Sequence, residues 1–176
     1  MHKMRKIMAI ILLLMLVPGQ ISCSPVEEGG VLRRIDAPAD FLIEGERHGV
    51  GFSAAVSLGE GEGKMIFISP ASLEGICIST AGGVWNCVAE DIAVAGIAAE
   101  LLGAPLAVFA SLGEARSAEK LTDGEGRALT LIVTASARGS VEYYIDSKSG
   151  YPVSVTEKDP AGATVMQFNI TEYTSR

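Results

Sequence analysis

From about Phe41 onward, apolar residues alternate with small or polar residues along most of the chain. The run 50–58 is the clearest example, because its larger apolar side chains share one face while Gly, Ser and Ala occupy the other. A period of two is typical of a strand with one buried face. Short segments rich in Gly, Pro, Asp and Ser separate the runs and predict turns. The pattern predicts eight strands, at 50–58, 64–69, 76–80, 84–89, 128–137, 141–146, 152–157 and 164–173.

One segment, 92–112, lacks this alternation and is rich in Ala and Leu. We expect a helix over 105–112, because Pro105 suits a first helical turn and Gly113 follows its end. A second short helix is expected over 93–102, buried against the sheet because it is apolar nearly all round. Strands in a meander with helix laid on them give an α+β fold.

The amino terminus has the three-part plan of an export signal. A short basic region, 2–6, precedes eleven apolar residues, 7–17, and Pro18 and Gly19 then break any helix. A spanning helix needs about 20 apolar residues, so this run is too short to be one. It fits a secretory signal instead. The alternative is a buried core helix, but the run lacks the amphipathic spacing of such a helix.

The four residues after this run, Gln20-Ile21-Ser22-Cys23, resemble the lipobox of bacterial lipoproteins, in which small residues precede a Cys that receives diacylglycerol. Gln20 stands where that family usually has Leu. The resemblance implies an extracytoplasmic protein anchored to the cell membrane by a lipid on Cys23. The alternative is an ordinary secretory signal with an incidental Cys. The expected parts are a signal peptide over 1–22, the lipidated Cys with a flexible tether over 23–38, and a β-rich domain over 39–176.

Composition and charge limit the partners. Hydrophobic residues make up 48% of the chain, which excludes a disordered protein. Without Lys3, Arg5 and Lys6, the chain has 11 basic and 21 acidic residues, a formal charge of −10. Such a domain is repelled by nucleic acid and by anionic lipid headgroups. We therefore expect no nucleic-acid partner, and membrane attachment through the anchor alone; the sequence does not identify a protein partner.

Catalytic and metal-binding patterns are lacking in the sequence. His48 is the one histidine after the signal, and we interpret it as an exposed residue at a strand end. A nucleophile elbow of the G-x-S-x-G type does not occur. The glycine-rich stretch 59–64 lacks the spacing of a phosphate loop and is interpreted as a hairpin turn. We therefore expect no enzyme, no cofactor and no metal site.

Cys77 and Cys87 flank a predicted hairpin at Ala81-Gly82-Gly83. If Gly82 is its centre, the two cysteines lie opposite each other, and an exported protein allows a disulfide between them. If the turn consists of Gly82 and Gly83 alone, Cys77 faces residue 88 and both thiols stay free. The sequence leaves both registers open.

Two segments resemble the LolA/LolB/LppX-like superfamily of bacterial lipoprotein- or lipid-binding proteins. Segment 143–152 (YYIDSKSGYP) is similar to its D-x-x-[ST]-G-x-P hairpin, and 68–76 (ISPASLEGI) to its P-x-x-L-x-G segment. With the signal and the strand order, the match covers most of 40–173. The resemblance implies a curved antiparallel sheet of about eight strands, a half-open barrel with one or two short helices covering one side. It also implies an apolar cavity that takes acyl chains.

The leading hypothesis is a lipid-anchored binding module for a lipid or other apolar ligand, with a role in lipid or lipoprotein trafficking. The alternative is an envelope lipoprotein with a filled core that docks onto a protein partner. Large apolar side chains that line either a ligand cavity or an ordinary core are Phe52, Val56, Phe67, Trp85 and Phe109.

Overall fold

A computed structural model describes residues 37–97, 105–110 and 115–176 of the 176-residue chain. The predicted signal peptide, Cys23 and nearly all of the tether lie outside the described residues. So do 98–102 of one predicted helix and 111–112 of the other.

The described residues form eleven strands and one short helix, α1, over Leu106–Ala110. The strands are β1 (Ala39–Arg47), β2 (Val50–Gly59), β3 (Glu62–Ser69), β4 (Cys77–Ala81), β5 (Val84–Ala89), β6 (Ile92–Ile97), β7 (Ala115–Thr122), β8 (Ala128–Ser136), β9 (Gly139–Asp146), β10 (Pro152–Lys158) and β11 (Thr164–Ser175).

All eleven strands belong to one antiparallel sheet that does not close on itself. Its order is β6-β5-β4-β3-β2-β1-β11-β10-β9-β8-β7, so β6 and β7 are the edges among the described strands. The first six strands form one meander and the last five form another. The pairing of β1 with β11 joins the two meanders in the middle of the sheet. A single large open sheet agrees with the predicted curved antiparallel sheet, but the strand count and the amount of helix differ from the predicted α+β fold of about eight strands with one or two helices.

Three strands were missed by the period-two pattern: β1, β6 and β7. The expected helix over 93–102 is wrong for 93–97, which belong to β6. Most of β6 is exposed on both faces, as is much of β7, so no buried face marks these edge strands in the sequence. Pairing with β5 outweighs the helical composition of β6, because strand formation depends more on context than on composition. The second predicted helix is shorter in the structure, where α1 spans Leu106–Ala110 within 105–112.

The sheet has two chemically different faces. We call inner the face that carries Phe41, Met65 and Tyr143, which are all buried. The outer face carries the alternate residues of the same strands, such as Leu42 and Ile66. Helix α1 packs on the inner face, so this face and the helix together form the hydrophobic core.

The β4–β5 hairpin decides the state of the cysteines. Gly82 and Gly83 both have positive φ angles, 56° and 79°, which suits a two-residue turn. This turn pairs Ala81 with Val84, so Cys77 faces Val88 and Cys87 faces Ile78. The two cysteines are therefore on opposite faces, and both thiols are free. The register with a disulfide between Cys77 and Cys87 is not the one that the chain adopts.

Aspartate side chains close three hairpins of the second meander. The Oδ1 atom of Asp146 accepts hydrogen bonds from the N–H groups of Lys148 and Ser149, at 2.8 and 2.6 Å. Asp123 and Asp159 accept two backbone N–H groups each in the same way. Such side-chain turns are the reason that Asp is common in hairpin loops. These donors hold the pKa of Asp123 and of Asp146 below the usual value.

Candidate ligand-binding face

Of the five side chains singled out from the sequence, four belong to the buried core on the inner side of the sheet, and the partly buried Phe67 packs against that core. Strand alternation puts Phe52 and Val56 of β2 on the inner face, since the residues between them point outward. The same alternation places Phe67 of β3 and Trp85 of β5 there. Phe109 reaches this face from α1. Their role in ligand binding stays a prediction.

Three of the five belong to one aromatic cluster at the centre of the sheet. The ring of Phe109 lies 5.1 Å from that of Phe41 and 5.9 Å from that of Phe168, measured between centroids. Phe52 lies 6.2 Å from Phe67 and 6.3 Å from Phe168. Edge-to-face and tilted pairs at these distances stabilise a core beyond the burial of their area. The sequence analysis did not select Phe41 or Phe168 as candidate residues, although the alternation of β1 and β11 carries the signal.

Trp85 and Val56 lie apart from this cluster. Trp85 pairs across the sheet with Thr80 and with Ile97, near the β6 edge. Val56 lies between its partners Phe41 and Met65. The inner face therefore runs from the central aromatic rings to the edge of the sheet.

Helix α1 is held on this face by packing and by one buried hydrogen bond. Gly63 has no side chain, which leaves room for Leu106. A Cβ atom at position 63 would lie 3.1 Å from the Leu106 Cδ1 atom. The Tyr143 hydroxyl donates to the backbone oxygen of Val108 at 2.6 Å. That carbonyl belongs to the last turn of the helix, where carbonyls lack helical partners. A helix of five residues is too short to be stable alone, so these contacts define its position.

Burial raises the pKa of the Tyr143 hydroxyl, and the negative charge of nearby Glu157 raises it further. The neighbouring Thr134 hydroxyl acts in the opposite direction. Tyr143 is fully buried, so its proton stays in place as the donor to α1.

One row across the inner face, beside the aromatic cluster, contains three polar side chains among apolar ones, and we call it the polar row. Arg47 at the end of β1 and Glu157 on β10 both pair with Met166 of β11, from opposite sides. Val141 of β9 and Thr134 of β8 continue the row. Glu157 is 6% exposed and Thr134 is 1% exposed. The sequence analysis did not predict this row, although the alternation of β10 places Glu157 on the same face as Val155.

Among the described residues, no group of three or more His, Cys, Asp or Glu side chains could hold a metal ion. His48 is exposed in the β1–β2 turn, where its N–H donates to the Val165 oxygen at 3.0 Å. Within the part of the chain that the structure covers, no helix has the length and apolar character needed to cross a membrane.

The outer face carries an apolar row of its own. Register places Leu42, Ala55, Ile66, Cys77 and Val88 side by side on five consecutive strands. Ile66 and Val88 are exposed. A shallow pocket of about 250 Å³ lies at the β1 end of this row, with charged residues at its rim.

Neither a protein-family model nor a curated protein matches this chain. Solved structures do match. An uncharacterised conserved protein of Thermus thermophilus gives a TM-score of 0.59 at 17% identity, covering 84% of this chain and 86% of its own. MucB gives 0.53 at 14% identity, covering 86% of this chain and 60% of its own. An outer membrane lipoprotein-sorting protein domain from Vibrio parahaemolyticus gives 0.50 at 12% identity, covering 85% and 91%. At these identities the similarity shows a shared fold.

Proposed function

Because this chain has a LolA-like fold, we propose that it is an extracytoplasmic lipoprotein whose inner face binds a lipid or another apolar ligand. Cys23 anchors it to the membrane, and the domain from residue 39 presents the binding face. A role in lipid or lipoprotein trafficking follows from such a ligand. The proposal includes no catalytic step, since the inner face carries no paired nucleophile and base among the described residues.

The observation that supports this proposal is that the apolar inner face is much wider than helix α1, the helix that packs on it. Eleven strands spaced about 4.8 Å apart span roughly 50 Å across the sheet. A five-residue helix is only about 7.5 Å long. An apolar sheet face normally needs a second layer to bury it. Helix α1, the one helix in the described residues, packs on the centre of this face, and β6 carries inner-face side chains that stay exposed.

The inner face is open at this edge. Ile92 and Val94 of β6 point to the inner side, because they pair with Ala89 and Cys87 of β5. Ile92 is 68% exposed and Val94 is 48% exposed. An apolar surface thus continues from Trp85 to solvent-exposed aliphatic side chains. Exposed apolar surface next to a core is typical of a ligand-binding groove.

Native mass spectrometry of residues 37–176, purified from cells under gentle conditions, tests this function. We expect a co-purifying lipid that leaves on denaturation. Val94→Asp should weaken uptake of an added phospholipid about tenfold, because it places a charge on the apolar face. Ala95→Asp is the matched control, since Ala95 pairs with Asn86 and points to the outer face. A clean ligand-free mass with no uptake of phospholipid or fatty acid would contradict the proposal.

The apolar row on the outer face favours a second candidate function, docking onto a protein of the cell envelope. Ile66 and Val88 expose aliphatic surface beside the half-buried Cys77, which is a pattern found at protein interfaces. A photo-crosslinking residue at Val88 should then form one discrete adduct in cells. The same residue at the exposed Glu119 of β7 is the control. Equal labelling at both positions would contradict specific docking by the outer face.

A further inference from the structure

The polar row on the inner face contains two opposite charges that are not paired. Arg47 and Glu157 flank Met166 in the register, so their Cα atoms lie about 10 Å apart, two strand spacings. Their side chains do not form an ion pair with each other. Neither side chain has an ion pair or hydrogen bond to another described residue.

Both side chains are partly or almost completely removed from water, since Arg47 is half-buried. The Arg47 Nε atom is buried without a hydrogen-bond partner. Glu157 is almost completely buried. Buried charges in proteins are normally paired, because removing an ion from water is costly unless another group replaces the water. Two oppositely charged side chains without partners in one row of an otherwise apolar face therefore indicate a ligand that supplies their partners.

The chemistry of the row describes that ligand. A guanidinium group binds phosphate, and a carboxylate accepts hydrogen bonds from an ammonium group. The ligand must therefore carry a negative and a positive group close together. Phe168, next to Met166 on the inner side of β11, begins the aromatic cluster, so an apolar chain leaving this polar group has an apolar surface to follow.

We propose that Arg47 and Glu157 bind the zwitterionic headgroup of a phosphatidylethanolamine-type lipid. Arg47 binds the phosphate, Glu157 accepts hydrogen bonds from the primary amine, and the acyl chains lie toward Phe168 and α1. The inference rests on the proposed function, since it names the lipid class that the inner face takes. A choline headgroup has no N–H to donate, and an anionic glycerol headgroup leaves Glu157 without a cation.

The test measures lipid binding to the full chain carrying Cys23→Ser, so that no anchor competes for the inner face. Dihexanoyl-phosphatidylethanolamine, -choline and -glycerol are titrated by native mass spectrometry. We expect the ethanolamine lipid to bind at least about tenfold more tightly than the other two. Free phosphoethanolamine should bind at least about tenfold more weakly than the lipid, which distinguishes a lipid site from a site for the soluble headgroup.

Substitutions of Glu157 and Arg47 test the role proposed for each side chain. Glu157→Gln should abolish the preference for ethanolamine over choline, while Arg47→Met should weaken both of these phosphate-containing lipids. The matched controls are Glu46→Gln, on the outer side of β1, and Arg116→Met on β7, both away from the polar row. These controls should leave all affinities unchanged.

Stability provides an independent measurement. Without lipid, Glu157→Gln should unfold at the same or a higher urea concentration than the parent chain, because it removes an unpaired buried charge. A clear decrease would show a structural partner for Glu157 and overturn the inference. Equal binding of the three lipids, or an unchanged preference in Glu157→Gln, would overturn it while leaving the proposed function intact. Binding of no lipid at all would overturn both.

Discussion

At the scale of single residues, the tightest position in the fold is Gly45 in the middle of β1. It pairs with Phe168 on one side and with Phe52 on the other. A Cβ at this position would overlap the backbone oxygen of Gln167 and lie 2.5 Å from the Cα and Cβ atoms of Phe168. The missing side chain therefore allows β1 and β11 to approach, and this pairing joins the two meanders.

Gly45→Ala should lower the free energy of unfolding by about 3 kcal/mol, because overpacking here separates the two central strands. The measurement is urea denaturation followed by circular dichroism. Gly51→Ala on β2 is the control, since the nearest atom to its Cβ is the Gly45 oxygen at 3.8 Å. Its effect should stay within about 0.5 kcal/mol. Equal effects of the two substitutions would contradict the close approach at Gly45.

Tyr143 controls a second residue-scale property, the response of stability to alkaline pH. Because burial raises its pKa in the folded protein, the unfolded chain releases this proton first as the pH rises above about 10. Stability should be retained below that pH and decrease above it. Tyr143→Phe should reduce the alkaline decrease and also cost about 1–2 kcal/mol at neutral pH, since it leaves the Val108 carbonyl unpaired.

Urea denaturation at pH 7 and at several values between about 9 and 11 measures both effects, with Tyr151→Phe as the control. The Tyr151 hydroxyl makes no hydrogen bond to another described residue. If Tyr143→Phe and the parent chain lose stability in parallel at alkaline pH, Tyr143 is not the group responsible.

At the scale of secondary-structure elements, α1 depends on its contacts with the sheet. Phe109 is 2% exposed and touches rings from β1 and β11, so it fastens the helix to both meanders. Phe109→Ala should lower the free energy of unfolding by about 3 kcal/mol. Phe67→Ala should cost less, because Phe67 is partly exposed at the border of the cluster. Thermal and urea unfolding of both variants measure the order, and the reverse order would contradict the role of Phe109.

The hairpins and edge strands show how far element prediction extends. The hairpin at 59–64 and the turn at 147–150 lie where glycine and aspartate predict them, since turn chemistry is local. The LolA-like fold implied by 143–152 and 68–76 is confirmed. Strands β6 and β7 escaped prediction, because an exposed edge strand has no buried face and its sequence lacks the alternation that reveals other strands.

At the scale of the whole molecule, the proposed lipid on Cys23 would determine where the domain works. Cells given radiolabelled palmitate should incorporate it into the parent chain, which should partition with membranes. Cys23→Ser should lose the label and enter the soluble fraction, because the proposal makes Cys23 the acceptor thiol. Cys77→Ser and Cys87→Ser are matched controls, since both thiols belong to the folded sheet, and both should keep the label. Label that remains in Cys23→Ser would contradict the anchor.

The sequence by itself determined the features that depend on neighbouring residues. Alternation set the inner and outer sides of β2, β3 and β9, and local turn residues set several hairpins. Only the tertiary structure decided the pairing of β1 with β11, because partners so far apart along the chain leave no local signal. The tertiary structure also shows which of the two registers pairs the strands of Cys77 and Cys87. It shows that Arg47 and Glu157 lie on either side of Met166. Those relations depend on hydrogen bonds between distant strands, so they exist only in the assembled sheet.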